Sequence, residues 1–117
     1  MADDSKPVYL RLREVIACSI LDGKYTDGDM LPSVRAFATQ QGANPLTVAK
    51  AYQWFQDNGL IIVKRGVGMF VAEGATRRLR EAQRRHFIET VWPPVADQIK
   101  RLGISNEELG LQQPEQA

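Results

Sequence analysis

Apolar residues recur at helical spacing in three successive segments of the first half of the chain, which predicts three helices. The first covers about residues 7–22. The second follows Ser33, a good N-cap, and ends at Gly42, and the third covers about residues 45–58 after the capping residue Asn44. The positions expected to face a common core share apolar character and helical spacing: Val8, Leu12, Val15, Ile16, Ile20, Val34, Phe37, Ala38, Val48, Ala51, Tyr52 and Phe55.

A hairpin is predicted directly after the third helix. Residues 61–63 are β-branched and favour a strand, residues 64–68 contain two glycines and favour a turn, and residues 69–72 form the return strand. Two short helices joined by a glycine turn and followed by a basic hairpin are typical of a helix-turn-helix with a wing, which places one helix in the major groove of DNA. The expected fold class is mostly α with a small β-hairpin: a winged helix-turn-helix domain over residues 7–74, followed by a short helical dimerisation tail.

A second apolar stripe lies in that tail, residues 75–111. Its members share helical spacing and large apolar side chains: Ile88, Val91, Trp92, Val95, Ile99 and Leu102. A segment this short cannot bury them within itself, so the stripe must pack either on the first domain or on a second copy of the chain. We prefer a homodimer, because paired reading heads bind two half-sites.

Other signals divide the tail and the termini. Pro93–Pro94 cannot donate backbone hydrogen bonds, which predicts a kink or a break. Ser105 and Glu108 have the spacing of a capping box, which predicts a short last helix. We expect residues 1–6 to be flexible and residues 112–117 to be frayed.

Composition narrows the function classes. The chain has 117 residues, of which 44% are hydrophobic and 25% charged, as in one soluble domain with a small appendage. No apolar run is long enough for a membrane span or a signal core, so we expect a cytoplasmic protein without a membrane partner. Cys18 is the only cysteine, expected as a small buried side chain, and His86 is the only histidine. These residues support no metal site, no cofactor and no catalytic relay, so we expect no enzyme.

The net charge is only +1, but the charges are unevenly placed. No acidic residue occurs from Met30 to Gln56, a stretch that contains Arg35 and Lys50. The predicted hairpin turn adds Lys64–Arg65. A local positive face is therefore expected on a nearly neutral molecule, and phosphate binding depends on such a face.

Each of these features also has a simpler interpretation. Thr47 and Lys50 on the third helix can reach base edges or phosphates, but they could also belong to a solvated helix face. The tip Arg65–Gly66 is either a wing that enters the minor groove or a surface turn. The arginines within residues 77–85 contact DNA flanks, pair across a dimer, or line a solvated helix face.

Three motifs carry a family resemblance: LPSxR at residues 31–35, NPxTVAKAY at 44–52 and RGxGxFVAEG at 65–74. Over about residues 7–74 the chain resembles the N-terminal domain of the GntR family of bacterial transcription regulators. The motif at residues 44–52, with so short a tail, resembles the YtrA-like branch. That branch uses a pair of tail helices for dimerisation and has no sugar-binding or fatty-acid-binding domain.

The resemblance implies a transcriptional repressor that binds a palindromic, inverted-repeat operator in double-stranded DNA as a homodimer. Its site residues would be Ser33 and Arg35 on backbone phosphates. The residues facing the major groove would be Asn44, Pro45, Leu46, Thr47 and Lys50, and the wing tip would be Lys64, Arg65 and Gly66. A small-molecule effector of unknown identity could bind near the tail, but no residue set indicates one.

Two features depart from the family pattern. Many relatives carry arginine in place of Pro45 and of Ala49, although the YtrA-like branch shares the proline. Trp54 replaces a residue that is usually charged, and its expected exposure has no explanation in the sequence. The exposed tryptophan and the mixed charge balance leave one alternative function, a winged-helix protein-interaction module without DNA binding.

Overall fold

A computed structural model describes residues 6–111. They divide into two compact units, one ending at Glu81 and the other beginning at Ala82. The first unit contains α1 (Val8–Leu21), α2 (Val34–Gln41), α3 (Pro45–Asp57), β1 (Ile61–Lys64), β2 (Gly68–Val71) and the first part of α4 (Ala75–His86). The second contains the rest of α4, a π-helical turn (Phe87–Val91) and α5 (Trp92–Leu102). The expected fold class is confirmed for the described residues.

The ends of α2 and α3 form as their capping residues predict. The Ala36 N–H donates to Ser33 Oγ at 3.1 Å, and the Leu46 N–H donates to Asn44 Oδ1 at 2.8 Å. Gly42 ends α2 in the left-handed conformation, with φ of 61°. This turn is tight because glycine adopts positive φ without a steric penalty, and it brings the two helices together as a helix-turn-helix.

The core of the first unit is centred on α3, which packs against α1, α2 and β1. Its inward stripe is buried as predicted: Val48, Ala51, Tyr52 and Phe55. The Tyr52 hydroxyl donates to the Pro32 carbonyl at 2.9 Å, and its ring lies 5.7 Å from that of Phe37. Burial raises the pKa of Tyr52, so the phenol stays protonated and keeps this bond. The start of α2 is therefore tied directly to the middle of α3.

The hairpin pairs antiparallel, with Ile61 opposite Val71. The Val67 N–H donates to the Lys64 carbonyl at 2.9 Å, and Gly66 has a φ of 78°, as the third position of a type II turn requires. Met30 forms an isolated antiparallel bridge with Phe70 of the return strand.

Asp27 fastens the chain after the hairpin. Its carboxylate accepts hydrogen bonds from the Thr76 hydroxyl at 2.7 Å, the Thr76 N–H at 3.2 Å and the Gly74 N–H at 2.7 Å. These bonds, with the nearby Arg78 guanidinium, hold the pKa of the Asp27 carboxyl below its usual value. Ala75 and Leu79 are buried in the same core. The first unit therefore continues past the boundary expected at Gly74.

The basic run on α4 contributes to the fold of the first unit. The Arg78 guanidinium donates to the Gly59 carbonyl at 2.7 Å, just beyond the end of α3. Arg80 donates to the Leu21 carbonyl at 3.3 Å, at the end of α1. Cations at helix C-termini stabilise the carbonyls that have no partner within the helix. These two arginines therefore have an intramolecular role.

The prediction that Cys18 is buried is wrong, since its side chain is exposed. The buried face of α1 is formed by Leu12, Ile16, Ala17 and Ile20. Each residue turns the helix by about 100°, so Cys18 points away from the face that contains Ala17. The apolar pattern of α1 is wide, and only contact with α3 decides which part of it is buried.

Two expectations about the tail also need correction. Pro93–Pro94 do not break the helical path, because they lie in the first turn of α5, where no intrahelical donor is required. The distortion takes the form of the preceding π-helical turn, in which the Trp92 N–H bonds the Phe87 carbonyl. Ser105 and Glu108 do form both capping-box bonds, at 3.0 and 3.1 Å. The residues after Ser105 nevertheless form a turn and not a helix.

Within residues 6–111, no helix has both the length and the apolar character needed to cross a membrane. In the same range, no three His, Cys, Asp or Glu residues are grouped as a metal site would require. The expected flexible start, apart from Lys6, and the expected frayed residues 112–117 lie outside the described residues.

We expect Asp27→Ala to lower the free energy of unfolding by about 1–2 kcal/mol, because three donors lose their charged acceptor. Urea unfolding followed by circular dichroism measures the change. Asp22→Ala is the matched control, since Asp22 is an exposed carboxylate whose side chain has no hydrogen-bond partner among the described residues. Equal stability of both variants would show that the Asp27 bonds contribute nothing.

The same residue should make stability depend on pH. A carboxyl whose pKa is lowered by folding stabilises the folded state above its unfolded-state pKa, and this contribution is lost as pH falls through the folded-state pKa. The difference in unfolding free energy between the wild type and Asp27→Ala should therefore shrink on acidification below the usual carboxyl range. Urea titrations at neutral and acidic pH test this, and a difference that does not change with pH would contradict it.

Candidate nucleic-acid interface

The first element of the candidate site is the N-terminus of α2, where Ser33 and Arg35 are both exposed. Ser33 Oγ accepts a bond from its own helix, so its hydroxyl proton can still be donated outward. The first turn of α2 contains no acidic residue. Backbone N–H groups and the positive end of the helix dipole favour an anion at such a terminus.

The second element is the start and outer face of α3. Asn44, Pro45, Leu46 and Lys50 are exposed, and Thr47 is half-buried. Leu46 is 80% exposed, so its apolar side chain faces solvent. Asn44 caps the helix with its side-chain oxygen Oδ1, so its side-chain NH2 group can still donate two hydrogen bonds. This face therefore combines donors, a cation and an apolar contact surface.

The third element is the hairpin tip, where Lys64, Arg65 and Gly66 are exposed. Lys64 Nζ lies 4.6 Å from the centroid of the Phe70 ring, so the lysine is held along one face of the hairpin. Arg65 and Gly66 occupy the two central positions of the turn. The tip thus presents a cation beside a glycine that leaves the backbone open to close approach.

The structure brings all ten sequence-predicted site residues into the first unit, on elements that share one core. Its two ion pairs among the described residues are Lys6–Glu14 and Arg77–Glu81. Neither involves a cation of the candidate site. The site can therefore offer uncompensated positive charge and hydrogen-bond donors to an anionic polymer.

Two residues of α1 that contact α3 were not predicted from the sequence, namely Tyr9 and Arg13. Lys50 Nζ lies 4.5 Å from the centroid of the Tyr9 ring, and the Arg13 guanidinium lies 3.7 Å from that of Trp54. Trp54 is half-buried, so the expectation that it is exposed is wrong. A signal did exist, because both helices carry a cation and an aromatic residue four positions apart. This spacing predicts a contact between the two helices only once α1 is known to pack on α3.

The second unit carries the predicted dimer stripe. Its residues are exposed apart from the half-buried Ile99: Ile88, Val91, Trp92, Val95 and Leu102. Phe87 extends this surface, with its ring stacked 6.5 Å from that of Trp92. Large apolar side chains left exposed together on one short segment are typical of an interaction surface.

Comparison with known proteins places the chain in a family. Residues 6–71 match the family model described as bacterial regulatory proteins, gntR family. The transcriptional repressor YtrA of Bacillus subtilis is 33% identical over 108 residues, which cover 92% of this chain and 77% of that protein.

Solved structures show the same relationship. A GntR family transcriptional regulator from Listeria monocytogenes superposes with a TM-score of 0.72 at 30% identity, covering 92% of this chain and 93% of that one. The DNA-binding domain of AraR, solved in complex with operator ORE1, superposes with a TM-score of 0.55 at 30% identity, covering 57% of this chain and 82% of that one. The resemblance seen in the sequence is therefore confirmed: this chain belongs to the GntR family of bacterial regulatory proteins and is similar to its YtrA-like members.

Proposed function

We propose that this protein is a transcriptional repressor that binds an inverted-repeat operator as a homodimer. The observation that carries the proposal is the exposed outer face of α3, which carries no acidic residue from Pro45 to Gln56 and lies on the same core as a cationic hairpin. The AraR domain bound to its operator has the same fold, and YtrA is named a repressor, which supports both the partner and the direction of control.

In this proposal α3 enters the major groove. Thr47 and Lys50 reach base edges, and Leu46 packs on a thymine methyl group, the apolar feature that the groove displays. The N-terminal amides of α3 and the Asn44 amide group donate to a phosphate at the edge of the groove. Pro45 removes no donor that the helix needs and fixes the direction in which α3 begins.

The other two elements fix the position of α3 in the groove. Ser33 and Arg35 bind backbone phosphates from the start of α2, and these contacts carry no sequence information. Arg65 enters the minor groove, where the negative potential is concentrated, and Gly66 lets the hairpin backbone approach the duplex. Lys64, held on the Phe70 ring, neutralises a flanking phosphate.

The homodimer is proposed to form through the tail. Ile88, Trp92, Val95, Ile99 and Leu102 follow one another at alternating spacings of four and three residues. This is the spacing of a seam between paired helices, and an identical copy supplies the same seam by two-fold symmetry. The alternative of a protein-interaction module has lost one of its two supports, because Trp54 packs against Arg13 within the domain.

Footprinting on the DNA upstream of the protein's own gene tests the proposal. We expect a protected site with two-fold symmetry and half-sites about one helical turn, or a multiple of it, apart. Affinity should fall steeply with salt, with a slope in log–log form of about −0.9 per phosphate contacted. No protection of any sequence at low salt would overturn the proposal.

Arg35→Ala should weaken binding to operator and scrambled DNA by similar factors and reduce the salt slope by about 1, because a phosphate contact is lost. Fluorescence anisotropy with labelled duplexes at several salt concentrations measures both effects. Lys24→Ala is the control, since it removes one exposed cation outside α2, α3 and the hairpin. If Lys24→Ala weakened binding as much as Arg35→Ala, the Arg35 effect would reflect only the change in net charge.

Thr47→Ala should behave differently. It should cost about 1–3 kcal/mol of discrimination between operator and scrambled DNA while leaving the salt slope unchanged, because a base contact and not a phosphate contact is lost. The same anisotropy titrations on the two duplexes measure this. Gln40→Ala, at an exposed position of α2, controls for an unspecific effect of surface truncation. Equal losses on both duplexes would contradict base reading by Thr47.

Val95→Asp should make the protein monomeric, because two carboxylates would meet in the apolar seam without partners. Sedimentation equilibrium measures the mass, and Gln98→Asp is the control on an exposed position of the same helix. The monomer should still bind a half-site but lose affinity for the full inverted repeat. A wild-type protein that sediments as a monomer at tens of micromolar would refute the dimer seam.

A further inference from the structure

Four side chains on α1 and α3 form two reciprocal cation–aromatic pairs. Lys50 of α3 lies over the Tyr9 ring of α1, and Arg13 of α1 lies over the Trp54 ring of α3, at 4.5 and 3.7 Å from the ring centroids. Each helix therefore supplies a cation to the other helix and receives one in return. The cations are attracted electrostatically to the negative faces of the rings.

A hydrogen bond joins the two pairs into one ladder. Arg13 Nη1 donates to the Tyr9 hydroxyl at 3.2 Å. Tyr9 and Arg13 are four residues apart on α1, as are Lys50 and Trp54 on α3, so each couple lies on one face of its helix. The ladder runs in the order Lys50, Tyr9, Arg13, Trp54. Its Lys50 end lies on the face that the proposed function assigns to DNA.

The contacts of the ladder differ in kind from those of the core. The buried stripe of α3 is apolar apart from the Tyr52 hydroxyl, and apolar contacts are not directional. A guanidinium stacked at 3.7 Å on an indole and bonded to a phenol keeps its geometry only in a narrow range of helix rotations. The Tyr9 ring also restricts where the long and otherwise mobile Lys50 side chain can lie.

We propose that Tyr9, Arg13 and Trp54 are positioning residues that set the rotation of α3 on α1 and the aim of Lys50, and so determine operator discrimination without touching DNA. The proposal rests on the proposed function, because it concerns the same α3 surface. It gives Trp54 a role that the sequence did not explain. It also identifies the part of α1 that contacts α3, at Tyr9 and Arg13, as part of the specificity machinery.

Arg13→Met tests the ladder, since methionine keeps length and apolar contact but has neither charge nor donor. We expect the ratio of operator to scrambled-DNA affinity to fall about two- to fivefold, the range expected for an exposed cation–aromatic pair. The salt slope should stay unchanged because Arg13 contacts no phosphate in this proposal. Arg11→Met is the matched control, because Arg11 lies on the same helix outside the ladder.

A double-mutant cycle with Lys50→Ala separates positioning from general destabilisation. Because Arg13 acts in part through Lys50, the loss of discrimination caused by Arg13→Met should be smaller once Lys50 is removed. Tyr9→Phe should give a smaller loss than Arg13→Met, because it keeps the ring under Lys50 and loses only the hydroxyl. A loss that is fully additive with that of Lys50→Ala would overturn the proposal, because it would show a structural effect only.

The remaining outcomes are also informative. A salt slope that falls by about 1 in Arg13→Met would show that Arg13 itself binds a phosphate, which also overturns the positioning role. A wild-type protein that discriminates while Arg13→Met matches Arg11→Met would refute the ladder and leave the proposed function standing. Failure of the wild-type protein to bind any duplex would refute the proposed function itself.

Discussion

The burial of one face of α3 is the constraint on which the rest of this structure depends. Val48, Ala51, Tyr52 and Phe55 are all almost completely removed from solvent, so this face of α3 is the one that points toward the core. Its opposite face is then necessarily outward, and in the first turns of the helix it carries the polar Thr47, the cationic Lys50 and the exposed apolar Leu46. The packing of a hydrophobic stripe thus decides which face of α3 is available as the candidate interface.

The ends of the elements are held by directed polar contacts, some of which connect distant parts of the sequence. Asp27 caps the start of α4, and arginines of α4 bind the carbonyls that end α1 and α3. At the candidate interface the capping residues have a second capacity. Ser33 and Asn44 use acceptor atoms within the protein, which leaves their donors directed at solvent. The same residues can therefore shape the fold and bind phosphate.

The sequence predicted the local elements well because their signals are local. Ser33, Gly42, Asn44 and Pro45 act on neighbouring backbone groups, so helix ends could be read without knowing the fold. The sequence was a poorer guide wherever burial or helix formation depends on packing against another helix or strand. Cys18 lies within the wide apolar pattern of α1, and the capping box at Ser105 forms its bonds without the packing that would extend a helix.

The candidate site shows the same division. The sequence by itself determined which residues occupy the outer face of α3 and the hairpin tip, because helical periodicity and turn chemistry assign residues to faces. Only the tertiary structure decided what lies behind that face. Arg13 and Trp54 are far apart in sequence, and their contact exists because α1 crosses α3 where an apolar core brings the two helices together. Such long-range contacts arise from packing, so the cation and aromatic residue four positions apart on each helix do not reveal the contact until the two helices are known to pack together.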